Sequence, residues 1–288
     1  MEYDAVGGLR YVDAADGPAV ALPRGDVTEG VVRIGSTVRR PGSVHSGAVA
    51  AYLHHLEAQG FNAAPRYLGV DDDGRDTLTF LAGEVAGDPP EPWAADPDLL
   101  ASVARLVRRL HQASAGFRAA EGFTAPEGSV WSRDAVPVEG LPPDPAPELV
   151  SHNDVTPQNV VVRDNRAVGL IDFDLAGPTT LLLDAYNTAM HWVPLRDPAD
   201  VWPTWRGVDQ MARLRVFAEA YGLTGPQRGD IVDLGIVRAD ASWLRMRARA
   251  ERLGGGWARM WDEGVGELIR RRKAWLAAMK PELKRALR

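Results

Sequence analysis

The 288-residue chain has no cysteine. That excludes disulfides, thiolate nucleophiles and cysteine-ligated zinc, and leaves the redox compartment open. Lysine is almost as scarce. Lys273, Lys280 and Lys284 are the only three, all near the C-terminus, and arginine supplies every other positive charge. No apolar run approaches the roughly eighteen residues of a membrane span. The start, Met1-Glu2-Tyr3-Asp4-Ala5, lacks both the basic and the apolar stretch of an export signal. Internal repeats, heptads and low-complexity tracts are missing, as is any basic-aromatic motif suited to nucleic acid. The expectation is a soluble, cytoplasmic protein with neither membrane nor nucleic acid as a partner. The sequence does not report its oligomeric state.

What is present is ordinary globular usage, with 45% apolar and 25% charged residues. The length suits one large domain or two lobes. The net charge of −6 is unevenly spread, since residues 181–288 carry 19 Lys+Arg against 13 Asp+Glu. A solvated helical face accounts for such a balance more simply than an anionic partner does.

Residues 1–85 read as strands and turns with one helix. Residues 19–22 form a weak edge strand between Pro18 and Pro23. Residues 25–30 are a glycine-bearing link that includes Thr28. Strands at 31–34 and 37–40 flank the two-residue turn Gly35-Ser36. A helix over 48–58 buries Val49, Leu53 and Leu56, and Gly60 ends it. Strands at 65–70 and 77–81 flank Asp71-Asp72-Asp73-Gly74, a solvated turn that lacks the spacing of a calcium loop. The Pro-rich stretch 86–98 reads as an inter-lobe connection. Asp96-Pro97 then starts a helix with Leu99, Leu100, Val103, Leu106, Val107 and Leu110 on one face. Residues 115–148 read as an irregular connection. Helices are expected over 184–192, 208–221, about 230–253, and 257–279 with its end before Pro281. Seven of the nine tryptophans fall in this last part. They suit helix-packing core, with Trp202 and Trp205 in a loop where they can line a pocket.

The chemistry concentrates in 151–174. There, His152-x-Asp154-x-x-Pro157-x-Asn159 precedes Ile171-Asp172-Phe173-Asp174. Val160-Val161-Val162 and Leu170-Ile171 read as a hairpin closed by Arg163-Asp164-Asn165-Arg166. The hairpin brings Asp154, Asn159 and Asp172 to one end of a small sheet. Hard oxygen ligands of this kind suit Mg²⁺, which takes one or two carboxylates and fills its other sites with phosphate and water. The plainer reading is a hairpin with surface Asp and Asn in its turns. Against it, these residues flank the apolar strands instead of sitting at the turn tip.

The same segment resembles the catalytic and metal-binding segments of the aminoglycoside phosphotransferase and choline-kinase-like family, relatives of the protein kinases. Phe80-Leu81-Ala82-Gly83-Glu84, Leu110-His111, Gly177-Pro178 and Asp184-Ala185-Tyr186 follow the family order as well. The resemblance implies an α+β, bilobed protein-kinase-like fold, with a small β-rich N-lobe (1–85), the connection 86–98 and a larger, mainly helical C-lobe (99–288). It also implies a small-molecule kinase that uses ATP, or another nucleoside triphosphate, with Mg²⁺. Asp154 would be the catalytic aspartate that orients the attacking hydroxyl, and Asn159 and Asp172 would hold the metal. His152, Pro157 and Asp174 would support the site, with His152 bonding backbone carbonyls near the loop. Thr28, Phe80 and Ala82 would flank the nucleotide.

Three positions stand out against the kinase patterns. Asn153 stands where small-molecule kinases often have Gly, and Asp174 stands where protein kinases have Gly. The front lobe has no lysine, so Arg39 or Arg40 must meet the phosphates. Strand alternation turns only one of them to the nucleotide. Arg40 is favoured, because Val38 then faces the base. Glu57 is the one acid on the 48–58 helix, and it lies near the end. The resemblance suggests an aminoglycoside or amino sugar as the hydroxylated acceptor, hence a link to antibiotic resistance. Asp184, Trp202, Trp205 and Asp240 are the candidate contacts. Arg238, Arg245, Arg247, Arg249 and Arg252 equally suit an anionic metabolite or a face turned to water. The missing lysine keeps a rival open, a non-catalytic nucleotide-binding pseudokinase. A metal-dependent phosphohydrolase is a third reading, one that predicts no bilobed fold.

Overall fold

The computed structural model describes residues 17–22, 30–43, 45–117 and 146–288. Thr28 and most of the 115–148 connection lie outside the described residues. The N-terminal part is a five-stranded antiparallel sheet in the order β1-β2-β3-β5-β4. Its strands are β1 (Val20–Ala21), β2 (Val32–Ile34), β3 (Thr37–Pro41), β4 (Tyr67–Val70) and β5 (Arg75–Thr79), with helix α1 (Ser46–Ala58) between β3 and β4. Gly35 takes a positive φ of 57°, which closes the β2–β3 turn in two residues. Period-two alternation then puts Arg39 on the buried face of β3 and turns Arg40 the other way.

The Asp71–Asp73 turn is only partly a solvated one. Asp71 is buried and accepts hydrogen bonds from the backbone of Asp73 and Arg75 and from Arg75 Nε. Its carboxylate is the anchor that shapes the turn, and Asp72 and Asp73 remain exposed.

After Thr79 the chain leaves the sheet. Glu84 pairs with Val162, exchanging backbone bonds of 2.9 and 2.7 Å. The crossing needs glycine at 83. Its φ is +152°, and a Cβ there would lie 2.5 Å from Val161 Cγ1. Helix α2 (Pro97–Ser114) follows, capped by Asp96, which accepts from the backbone N–H groups of Asp98 and Leu99. Its expected face, Leu99 through Leu110, is fully buried and forms the centre of the core.

Two small antiparallel pairs carry the motif. β6 (Leu149–Ser151) pairs with β9 (Gly177–Thr179), and β7 (Val160–Arg163) pairs with β8 (Arg166–Leu170). The turn between β7 and β8 is tighter than the four residues expected. Asp164 and Asn165, at φ 49° and 56°, close it alone, as Asn and Asp tolerate left-handed backbone.

The rest is helical: α3 (Leu181–Trp192), α4 (Gln210–Tyr221), α5 (Gly225–Leu253), α6 (Gly255–Asp262), α7 (Val265–Ala278) and α8 (Lys280–Ala286). The helix expected over 257–279 is two helices, separated where Gly264 adopts φ 95°. The second of them ends at Ala278, ahead of Pro281 as expected, and Pro281 sits in the first turn of a further helix, α8, where its missing N–H would have no partner anyway. Helix α5 starts earlier than expected, because Thr224 and Gln227 build a capping box on either side of Pro226. Among the described residues no helix is long and apolar enough to cross a membrane.

Candidate active site

The site is built on the loop between β6 and β7. Asn153 adopts φ 63°, a left-handed conformation that Gly or Asn accepts most readily. Its side-chain amide donates to the carbonyls of Ser151, Leu175 and Gly177, at 3.0 to 3.3 Å. Asn153 therefore ties the β6–β7 loop to the segment that follows Asp172, a task that glycine could not perform.

His152 is fully buried. Its Nε2–H donates to the Ile171 carbonyl at 2.9 Å, and its Nδ1 accepts from the backbone N–H of Asp154 at 3.3 Å. Both bonds are made together only by the neutral tautomer with the proton on Nε2, so His152 orients the loop instead of moving protons. Its ring also packs on buried Phe173, with centroids 4.5 Å apart.

Pro157 opens a single 3₁₀ turn that ends at Asn159, which directs Asn159 back at Asp154. The Asn159 amide donates to the Asp154 backbone carbonyl (2.9 Å) and to its carboxylate (3.0 Å). With the amide N–H groups so engaged, Oδ1 is the Asn159 atom left to face a cation. The Asn159 carbonyl accepts from the backbone N–H of Ile171 at 3.0 Å, which sets Asp172 beside it. Asp172 has φ 62°, ψ 69°. That left-handed step turns its carboxylate out of the strand line.

Arg40 reaches these carboxylates from the front sheet. It is ion-paired with Asp174 and stands 3.6 Å from Asp172. Arg39 lies on the opposite face, buried, donating to Thr77 Oγ1 and 3.9 Å from Asp71. Glu57 is ion-paired with Arg66 at 3.1 Å, so the acid on α1 is taken by another partner and Asp174 holds Arg40. Burial pulls the Arg40 guanidinium down, yet Asp174, Asp172 and Asp76 outweigh it and hold it above its ordinary value. Burial and the neighbouring Asp174 push the Asp172 carboxyl up, against Arg40. A divalent cation would relieve that repulsion. Among the described residues no three His, Asp or Glu side chains gather round one point. The oxygen set is one amide and one carboxylate, which fits an ion that draws its other ligands from phosphate and water.

The remaining candidates separate clearly. Phe80 is half-buried under the Arg33 guanidinium, 3.8 Å from its ring centre, and Ala82 is exposed beside the crossing. Asp184 is not available to a substrate. It is fully buried and accepts from His111 Nε2 (2.8 Å), Ser151 Oγ (2.7 Å) and the Asn153 backbone N–H (3.0 Å). Trp205 is likewise buried, with its indole N–H on the Glu91 carbonyl. Trp202 is half-buried beneath Arg196. Asp240 is ion-paired with Lys273 on the α5–α7 surface. Sequence reading missed His111 and Ser151 as supports of the loop. Each sits at the edge of a quoted motif, but only the fold brings them to Asp184.

A sheet followed by helices, with a polar loop and hairpin at their junction, is the kinase-like architecture. A choline/ethanolamine kinase family protein from Mesorhizobium loti superposes with a TM-score of 0.57 at 17% identity, over 96% of this chain and 92% of that one. The amicoumacin kinase hAmiN, solved with AMP-PNP, Ca²⁺ and Ami, gives 0.57 at 11% identity, over 90% and 88%. The phosphotransferase enzyme family model matches residues 137–261. The trifolitoxin immunity protein of Rhizobium leguminosarum bv. trifolii is 34% identical over 207 residues, 70% of this chain and 74% of its own length. The chain belongs to the phosphotransferase enzyme family.

Proposed function

We propose that this phosphotransferase uses ATP and Mg²⁺ to phosphorylate a hydroxyl of a small molecule. Asp154 accepts a hydrogen bond from the hydroxyl and takes its proton. The acceptor oxygen bonds to the γ-phosphorus as the bond to the β-phosphate oxygen breaks, releasing ADP. Asn159 and Asp172 would hold the metal, whose charge neutralises the phosphates. Arg40 would meet the α- and β-phosphates in place of lysine, and Asp174 positions it. The bilobed division into 1–85 and 99–288, joined through 86–98, belongs to this reading. The observation that carries the proposal is the bond from Asn159 to Asp154, with Asp172 set beside Asn159 through Ile171. It supports a base and a metal clamp within one loop, which is what positioning-dominated phosphoryl transfer requires. The immunity named for the 34%-identical relative and the antibiotic kinase among similar folds support a resistance-type acceptor.

The test is a panel of hydroxylated antibiotics, amino sugars and metabolites, scored for ATP-dependent mass gain of one phosphate. Asp154→Asn is expected to lower turnover by about 10²–10⁴-fold with Mg-ATP still bound. The second reading, a nucleotide-binding protein without catalysis, is favoured by the front lobe's lack of lysine and by Arg40 standing 3.6 Å from Asp172. Mg-ATP binding with no phosphorylated product across the panel would establish it.

A further inference from the structure

The C-terminal end of α3 leads to an unusual set of buried cations. Arg196 and Arg272 are 5% and 7% exposed. The Nε atom of each is buried and has no hydrogen-bond partner among the described residues. Arg272 Nη1 donates only to Met190 Sδ, at 2.8 Å, and a thioether is a weak acceptor for a charged donor. The Arg196 guanidinium lies over the Trp202 ring, 4.5 Å from its centre. Neither guanidinium has an ion pair among the described residues. Asp200 acts through space on both, and Asp88 on Arg196, but neither carboxylate is hydrogen-bonded to them. Asp200 accepts from Nε and Nη2 of the exposed Arg271 at 2.7 to 3.1 Å, and Asp88 is exposed.

The two arginines feel each other. Burial and Arg272 pull the Arg196 guanidinium down to about 10. Burial lowers Arg272 too. Desolvation and both arginines hold His191 well below its ordinary value, so it is a neutral imidazole. Burial raises Tyr186 against Arg272, Arg238 and Arg196, so it stays a protonated phenol. Helix α5 crosses Tyr186 closely. A Cβ on Gly235 would lie 2.3 Å from its ring, and Arg238 follows three residues later on the same helix face. Charges concentrated in this way without a hydrogen-bonded counter-charge are costly, and planar guanidinium forks match carboxylate and phosphate oxygens.

The set borders the catalytic loop. The Trp192 indole N–H donates to the carbonyl of Val155, the residue after Asp154, and His191 and Arg196 flank Trp192 in the same segment. Gln158 of that loop donates to the Gly87 carbonyl, next to Asp88.

We propose that Arg196 and Arg272, with Tyr186 and His191, form an oxyanion site that receives a carboxylate or phosphate group of the acceptor. The site stands on its own geometry, and only its assignment to the acceptor rests on the function proposed above. This favours an anionic acceptor over a polycationic one, since Asp184 is sealed and Asp240 is paired.

The experiment is isothermal titration of the full chain with inorganic phosphate, and separately with acetate, in chloride buffer of matched ionic strength. Saturable binding is expected, weakened by about tenfold or more in Arg196→Gln and in Arg272→Gln. Arg206→Gln, at an exposed arginine of the same loop, should leave it unchanged. Tighter phosphate than acetate assigns a phosphorylated acceptor, and the reverse a carboxylated one. If a variant fails to fold, the wild-type melting temperature decides, and it should rise with phosphate or acetate above the chloride control. No heat and no rise with either anion, or binding indifferent to both variants, would overturn the site. Among phosphorylated acceptors, Arg196→Gln should raise KM about tenfold for anionic ones with kcat little changed. Phosphate binding at these arginines without any preference for anionic acceptors would remove the acceptor assignment. An absence of phosphotransfer altogether counts against the proposed function and leaves the oxyanion measurement intact.

Discussion

Helix α3 has a buried charge cluster at each end, and the two are built on opposite principles. At its first turn Asp184 is a sealed negative charge with a donor for each oxygen: His111 and Ser151 on one, the Asn153 backbone on the other. Tyr221 bonds the far nitrogen of His111 at 2.7 Å, which extends the network into α4. Beyond the last turn, Arg196 and Arg272 are sealed positive charges whose Nε groups have no acceptor among the described residues. A satisfied buried charge fixes geometry. An unsatisfied one lowers stability unless something arrives to pair with it. The first cluster accordingly shapes the β6–β7 loop, and the second suits the ligand proposed above.

The comparison breaks most visibly at Asp184. Asp184→Ala leaves three donors buried without an acceptor and should cost about 3–5 kcal/mol, read as a shift in urea midpoint. Loss of the Asn153 anchor should also reduce phosphotransfer in whatever fraction remains folded. A loss near zero would mean that the network is ornamental.

Gly235→Ala addresses the other end. Its Cβ would press into the Tyr186 ring and force α5 away from α3, for an expected loss of about 1–3 kcal/mol with anion binding impaired. Chemical denaturation and phosphate titration on the same sample measure both effects.

Acidification sharpens the contrast at a single group. Burial alone would raise the Asp184 carboxyl, but the bonds from His111 and Ser151 outweigh it and hold it below its ordinary value. Its contribution is therefore present above the unfolded carboxylate range, near ~3.9, and is lost as pH falls through the lower folded value. Urea midpoints should decline more steeply below about pH 4 for the wild type than for Asp184→Asn. Parallel declines would refute the assignment.

The smallest effect is expected at Arg272. Arg272→Met removes a buried charge whose Nη1 bonds only a thioether. Stability should be unchanged or gain up to about 1 kcal/mol in calorimetry, while anion binding is lost. A loss as large as that of Asp184→Ala would show that Arg272 is a strut after all.

Much of the loop was legible before any fold. His152, Asp154, Pro157, Asn159 and Asp172 lie within 21 residues, and their mutual geometry is set by one turn, one short hairpin and a few backbone bonds. Local chemistry of that kind survives in a linear pattern. The α2 face was legible for the same reason, since its apolar period is a property of one helix. Helix ends were less so. Pro281 and Gly264 each permit more than one continuation, and packing chose between them.

The arginine question shows where local reading ends. Strand alternation established that Arg39 and Arg40 face opposite ways, which is a property of β3 alone. It did not reveal that Arg40 would meet Asp174, 134 residues later, or that Glu57 would be taken up by Arg66. Asp184 and Arg196 make the same point. As letters one is an acid in a helical stretch and the other a base just after it, and neither letter says whether it meets solvent, protein or substrate. Burial among His111, Ser151 and Asn153 made one a strut. Burial beside Arg272, away from an available carboxylate, made the other a candidate receptor for an anion. The sequence by itself determined the loop that carries Asp154 and Asn159, because short-range backbone geometry dictates it. Only the tertiary structure decided which charges are paired, because desolvation and long-range partners do not exist until the chain is folded.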